Sequence, residues 1–295
     1  MKILIIFTIL IKLTTCGYDN RIITTLKYSH YHVKPLVVNG EPAVKGQVPY
    51  LISIKEPAFM LDSKRSVWQN MCGGSIISDL KVLTAAHCFE SSNFFYAKHP
   101  TVLRLVAGNL KNNLVHSGDT ETTAQAQWRN IKKVILHRDF HFPNNDIALI
   151  TVHLEWKFTS TVQIIPPATI HTDYPKSCYS AGYGRTGYDS VDTYSPTMLV
   201  AKIDVMSRFK CSLLWEMNMN TFICTDSVVS DVAMGDSGGP LVCSNTTDPL
   251  EKSGNRDVLV GIVSGKNFDK TTIYTRVSAF QDWIENGESQ HSSDV

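Results

Sequence analysis

The first apolar run, Ile3 to Ile11, follows Lys2, is broken by Lys12 and gives way to the small residues Thr14, Thr15, Cys16 and Gly17. A basic start, a short apolar stretch and small residues beyond it mark a secretory signal peptide. Residues 1–16 are therefore expected to be cleaved near Cys16 or Gly17, leaving a secreted, extracellular protein. The run is too short for a bilayer, which takes about 20 apolar residues, and no membrane partner is expected. Val48 to Ile54 is apolar and β-prone, and Val102 to Val106, Thr122 to Gln127 and Val134 to Leu136 supply further short strands. Asn145-Asp146-Ile147-Ala148-Leu149 sets a carboxylate at the head of another apolar run. Between these, Lys55 to Asn70 reads as a long loop whose Lys64-Arg65 pair is solvated, and a second loop carrying Phe94, Phe95 and Tyr96 follows Cys88. Pro166-Pro167 excludes regular structure, so Glu155 to Pro167 reads as a link. Val277, Phe280, Trp283 and Ile284 recur at helical spacing, which predicts a short helix over Ser278 to Glu285, with residues 287–295 a disordered tail.

Composition narrows the class. The 295 residues are 43% hydrophobic with a formal net charge of +1, which suits a soluble globular protein and excludes an electrostatic bias toward nucleic acid. Seven cysteines occur, and if Cys16 leaves with the signal peptide the remaining six suit disulfides in an oxidising compartment. Sequence alone leaves their pairing open. The histidines are scattered and no metal-ligand cluster appears, so neither metal nor cofactor is expected.

The chemistry centres on Gly235-Asp236-Ser237-Gly238-Gly239-Pro240, where one hydroxyl stands among residues too small to cover it. A serine hydroxyl is a weak nucleophile and needs a general base and N–H donors for the developing oxyanion. Gly235, without a Cβ, can present its N–H beside that of Ser237. Thr84-Ala85-Ala86-His87-Cys88 offers the base, since an imidazole takes a proton near neutral pH. Asp146 offers a carboxylate to fix its tautomer. A glycine-rich turn, a packed histidine or a strand-end carboxylate would each be unremarkable alone. The order His87, Asp146, Ser237 is what argues for a catalytic set. The nucleophile elbow of α/β-hydrolases needs a histidine after the serine, and here only His291 follows, in a polar tail.

In these segments the chain resembles the trypsin and chymotrypsin family of serine proteases. The resemblance runs from Val37 to about Glu285 through Val37-Val38-Asn39-Gly40, TAAHC, NDIAL and GDSGGP, in that order. Cys72-Gly73-Gly74-Ser75, His137, Gly182-Tyr183-Gly184 and Gly261-Ile262-Val263-Ser264 agree with it. It implies an all-β fold of two packed six-stranded antiparallel β-barrels with a short C-terminal helix, forming one protease domain over residues 37–286 and acting as a monomer. It also implies the pairs Cys72–Cys88, Cys178–Cys243 and Cys211–Cys224. Asp119 and Glu121 lie roughly where some members bind calcium, but the loop does not match.

The resemblance makes residues 17–36 a propeptide. Its removal would free the Val37 amine to pair with Asp236, which orders the loop carrying the Gly235 N–H. The expected cut follows Leu36 rather than Arg or Lys, which implies an activating protease of apolar preference. Gly184 to Pro196 stands in place of a loop that becomes ordered on activation. Asp231, Ser264 and Thr272 are the implied substrate-binding positions, with Ser264 also supporting Asp146. An aspartate at 231 implies preference for Lys or Arg before the scissile bond, because a cationic side chain offsets a buried carboxylate. The pocket departs from the pattern elsewhere. Ala233 replaces a cysteine, the stretch 265–272 is short, Thr272 replaces a glycine, and Lys266 is placed to neutralise Asp231. Asn245-Thr246-Thr247 is a glycosylation sequon on a polar turn. The expected function is a secreted endopeptidase acting on protein or peptide substrates, open to protein inhibitors. The alternative is an inactive homologue that binds or regulates, although such proteins usually lack the nucleophile or base.

Overall fold

The computed structural model describes residues 23–24, 40–116, 126–175, 177–184, 194–226, 236–252, 257–266 and 271–290. Two short strands, β1 (Ile23–Thr24) and β2 (Glu41–Pro42), precede the first barrel. That barrel is made by β3 (Leu51–Met60), β4 (Ser66–Ile76), β5 (Lys81–Thr84), β6 (Arg104–Ala107), β8 (Gln127–Leu136) and β9 (Ala148–Val152), with β7 (Leu114–His116) added to the outer end of β4. The antiparallel order β3-β6-β8-β9-β5-β4 closes through the β3–β4 pairing. The second barrel joins β10 (Ser177–Gly182), β11 (Leu199–Val205), β12 (Phe222–Asp226), β13 (Pro240–Ser244), β14 (Asp257–Lys266) and β15 (Thr272–Arg276). Its order β10-β13-β14-β15-β12-β11 closes through β10–β11. The fold is the two six-stranded antiparallel barrels the sequence implies.

Burial follows from β-branched and aliphatic residues on barrel interiors. Ile52, Ile54, Val82, Leu83, Leu105, Ile131 and Leu149 form one cluster, which reaches into the second half through Tyr183, Val242, Leu259 and Ile262. Each such side chain contributes about 1.5–3 kcal/mol on burial. Because a single apolar cluster crosses between the barrels, they pack as one body, and their seam is where the chain's polar chemistry collects. Three disulfides form, Cys72–Cys88, Cys178–Cys243 and Cys211–Cys224, the pairs implied by the resemblance.

Several expectations shift in detail. Lys55 to Asn70 is a hairpin rather than a loop: β3 and β4 pair out to Met60 opposite Ser66. Asp62 makes the turn, accepting from the Lys64 and Arg65 amides and from Arg65 Nε at 2.7 Å, while both basic residues stay exposed as expected. Val48 to Tyr50 lie before β3, in a turn whose Val48 and Tyr50 are still buried. The loop after Cys88 contains α1 (Ser91–Lys98), interrupted by left-handed φ at Ser92, Asn93 and Phe94; its Tyr96 hydroxyl donates to Glu56 at 2.8 Å while Phe95 stays exposed. Val102 lies in a 3-10 turn and β6 begins two residues later, while Val134 to Leu136 is the end of the longer β8. Residues 117–125, most of the Thr122 to Gln127 candidate, lie outside the described residues. In the second half, α2 (Arg208–Trp215) is capped by the Ser207 hydroxyl and tied to β12 by Cys211–Cys224, and a short α3 (Pro249–Lys252) precedes β14. The final helix, α4 (Gln281–Gln290), starts after a 3-10 turn at Val277–Ala279 and runs on past Gly287. Phe280, just before it, and Trp283 within it pack against the His137 ring, with centroids 5.6 and 5.5 Å away.

Candidate active site

The turn bearing Ser237 is clamped from both barrels. Gly239 N donates to Asp236 O at 2.8 Å and closes the turn, and Gly238 N donates to Val263 O on β14 at 2.9 Å. From the other side Gly73 N, on β4, donates to Ser237 O at 2.7 Å, and the Thr84 hydroxyl donates to Gly73 O at 2.7 Å. Gly238 holds φ +74°, the left-handed region that favours glycine, and a Cβ there would stand 2.7 Å from Gly73 O. The turn therefore abuts the end of β5, immediately before His87.

His87 lies in the 3-10 turn Ala86–Phe89 and is covalently anchored next door by Cys88–Cys72. Asp146 receives it twice: the His87 amide donates to Oδ1 at 2.8 Å, and Nδ1 meets Oδ2 at 2.7 Å. The Ser264 hydroxyl donates to the same Oδ2 at 2.5 Å, and the Thr275 hydroxyl donates to Asp146 O at 2.8 Å. A carboxylate accepts only, so Nδ1 carries the proton and the neutral ring presents Nε2 as a base. A carboxylate with no exposed surface is tolerated because three donors from the chain satisfy it. The Phe142 ring stands edge-on to His87, centroids 5.9 Å apart.

His87 Nε2 and Ser237 Oγ are both buried, and neither makes a hydrogen bond. The chain thus brings the imidazole and the carboxylate into a bonded pair and sets the serine turn beside them, without the serine-to-histidine bond. Asp236 is buried beneath the turn and accepts from Gly184 N at 2.8 Å. Thr272 is buried on β15, directly across from Lys266, itself only 8% exposed. Val37, Asp231, Ala233 and Gly235 lie outside the described residues, as do residues 1–16, the rest of 17–36 apart from β1, and 185–193. Asn245 sits exposed on a turn at φ +55°.

Some participants carry no signal in the sequence. Thr275 and Phe142 are ordinary residues of a strand and a loop until pairing and packing bring them to Asp146 and His87. Lys55 is fully buried, donates to Asn112 O and lies under the Tyr183 ring at 5.4 Å. Burial lowers its pKa to about 7. Among the described residues no helix is long and apolar enough to cross a membrane, and no group of three His, Cys, Asp or Glu is placed to hold a metal.

Comparison with known proteins bears on this site. Residues 37–284 match the family model described as Trypsin. The chain is 31% identical over 269 residues to chymotrypsin-C of Bos taurus, covering 84% of this chain and 87% of that one. It is 32% identical over 260 residues to chymotrypsin-C of Rattus norvegicus, with the same coverage. It is 30% identical over 264 residues to ovochymase of Halocynthia roretzi, spanning 15% of that longer protein. With the match reaching from the start of the expected protease domain to α4, this chain belongs to the trypsin family and is a serine endopeptidase.

Proposed function

We propose that this protein is a secreted endopeptidase that cleaves polypeptides through an acyl-enzyme, with His87, Asp146 and Ser237 as its catalytic residues. Ser237 Oγ attacks the substrate carbonyl carbon as His87 Nε2 takes its proton, and the N–H groups of Gly235 and Ser237 hold the oxyanion. His87 then gives that proton to the departing amine. Water, activated by the same nitrogen, hydrolyses the ester. Asp146 stays ionised and orients the ring. The observation that carries this reading is the buried His87–Asp146 pair with Ser264 on the same carboxylate.

Activation follows removal of residues 17–36 by a protease of apolar preference, and the freed Val37 amine pairs with Asp236. That pairing orders the loop carrying the Gly235 N–H and so completes the oxyanion hole. N-terminal sequencing of active secreted protein is expected to start at Val37. Asn245, exposed on its turn, is the glycosylation site, and Asn245→Gln removes the glycan mass.

The Lys or Arg preference expected from Asp231 finds no support among the named relatives, two of which are chymotrypsins. Buried Lys266, paired across the ladder with Thr272, favours a pocket that carries its own cation. The pocket then takes uncharged, apolar side chains, since an Asp231 carboxylate already offset by Lys266 gives an incoming cation little to pair with. The test of the whole reading is labelling by a fluorophosphonate, which reacts only with an activated serine. Protein beginning at Val37 should label, and Ser237→Ala and His87→Ala should not. An unlabelled Val37 form would sink the assignment of these residues.

A further inference from the structure

Helix α2 is apolar on the side that faces away from the protein as well as on the side that faces in. Cys211 and Trp215 are buried, and the Cys211–Cys224 disulfide fixes their face inward. Phe209 and Leu213 each stand two residues before one of these, about 200° around the helix, so they point the opposite way. They are 73% and 64% exposed, and Leu214 beside them is 37% exposed. A surface helix normally carries polar residues on its outer side, and one that is apolar all round belongs inside. Lys210 borders this stripe near its N-terminal end and Glu216, the C-cap, borders it at the other, both exposed. Among the described residues neither of these two side chains has an ion-pair partner.

From this arrangement we infer that the outer stripe of α2 is the contact for a second copy of the chain, the two helices packing antiparallel across a two-fold axis. Such an axis makes a surface meet itself, so the surface must complement its own reverse. The order along α2 does so: a cation at Lys210, an apolar centre at Leu213 and a carboxylate at Glu216, evenly spaced. An axis through Leu213 sets that residue against its counterpart and Phe209 of one copy against the half-buried Met217 of the other. The same axis sets Lys210 against Glu216 twice. Helix axes about 8–10 Å apart bring these pairs within side-chain reach, and antiparallel helices oppose their dipoles favourably. A lipid surface fits less well, because Glu216 would then face anionic headgroups. The stripe offers on the order of a few hundred Å² per copy, short of the roughly 1,200 Å² in total that a stable interface buries. The dimer is therefore a reversible one of micromolar strength. It departs from the monomer that the resemblance implies, and it does not depend on the catalytic assignment.

The experiment is sedimentation velocity on the Val37 form, in a Ser237→Ala background that prevents self-digestion, from about 1 to 200 μM so as to bracket a micromolar Kd. The dimer fraction should rise with concentration. Phe209→Ser combined with Leu213→Ser should weaken association at least about tenfold. Lys210→Glu alone and Glu216→Lys alone each set like charges face to face twice, and each should weaken it by about tenfold. Mixing these two charge variants should restore association to the parent's level, because each chain then meets the opposite charge on the other. All four side chains are exposed, so the variants should melt within about 2 °C of the parent. A parent that stays monomeric at the top concentration, or a mixture no more associated than either charge variant alone, overturns the second copy. Binding to phosphatidylserine vesicles that the serine pair abolishes, with no dimer in solution, assigns the stripe to a lipid surface and overturns it equally.

Discussion

Gly238→Ala tests whether the clamp on the Ser237 turn is as tight as the geometry implies. At φ +74° an alanine costs about 1–2 kcal/mol from its backbone alone. The new methyl overlaps the Thr84 hydroxyl, stands 2.7 Å from Gly73 O and lies 3.1 Å from Ala85 N. These neighbours have little freedom to retreat, because Gly73 both donates to Ser237 O and accepts from Thr84. Losing those two buried hydrogen bonds adds about 0.5–1.5 kcal/mol each, for a total of roughly 2–5 kcal/mol. At about 2–4 °C per kcal/mol for a domain of this size, the melting temperature should fall by roughly 4–20 °C. Denaturant unfolding of the Val37 form gives the energy, and active-site titration gives the fraction of competent serine, which should fall with it. Adding Thr84→Ala removes the overlapped hydroxyl, so the double variant should lose at least about 0.5 kcal/mol less than the sum of the singles. If Gly238→Ala stays within about 0.5 kcal/mol of the parent with full activity, the turn is not clamped as described and the argument fails.

Three further outcomes follow from other parts of the molecule. Replacing both cysteines of Cys178–Cys243 by alanine should cost about 4 kcal/mol and both of Cys211–Cys224 about 3, since the separations are 65 and 13 residues; the reverse order in urea unfolding would count against the loop-entropy account. Lys55, with its pKa lowered to about 7 by burial, pays its full desolvation cost below that pH. Between about pH 7 and 10 the unfolded chain keeps a proton the native protein has released, so stability should rise with pH across this window, and Lys55→Met should flatten the rise. Parallel stability–pH curves for the two proteins would show that Lys55 does not titrate inside. Lys266→Ala should raise kcat/KM for reporters with Arg or Lys before the scissile bond by about tenfold relative to Leu or Phe reporters, and an unchanged ratio would remove Lys266 from specificity.

Much of the molecule is legible in one dimension because its chemistry is packed into short runs. GDSGGP, TAAHC and NDIAL each carry their own glycine, small-residue or apolar context, so Ser237, His87 and Asp146 stand out before any folding is considered. Six cysteines similarly announce disulfides, though their pairing was carried by resemblance. Strand ends are less legible. A polar stretch such as Lys55 to Asn70 hides a hairpin, because Asp62 builds the turn through hydrogen bonds that hydropathy does not register.

By itself, then, the sequence singled out His87, Asp146 and Ser237 as candidates through residue types and chain order, while the barrel class came from the resemblance to a known family. Tertiary structure alone decided that Thr275, far from Asp146 in sequence, supplies it with a hydrogen bond, that Lys55 is sealed under Tyr183, and that Ile23–Thr24 pairs with the edge of β14. The reason is that strand pairing and burial join distant segments, and neither a side chain's solvent exposure nor its cross-strand neighbour is encoded in its local run.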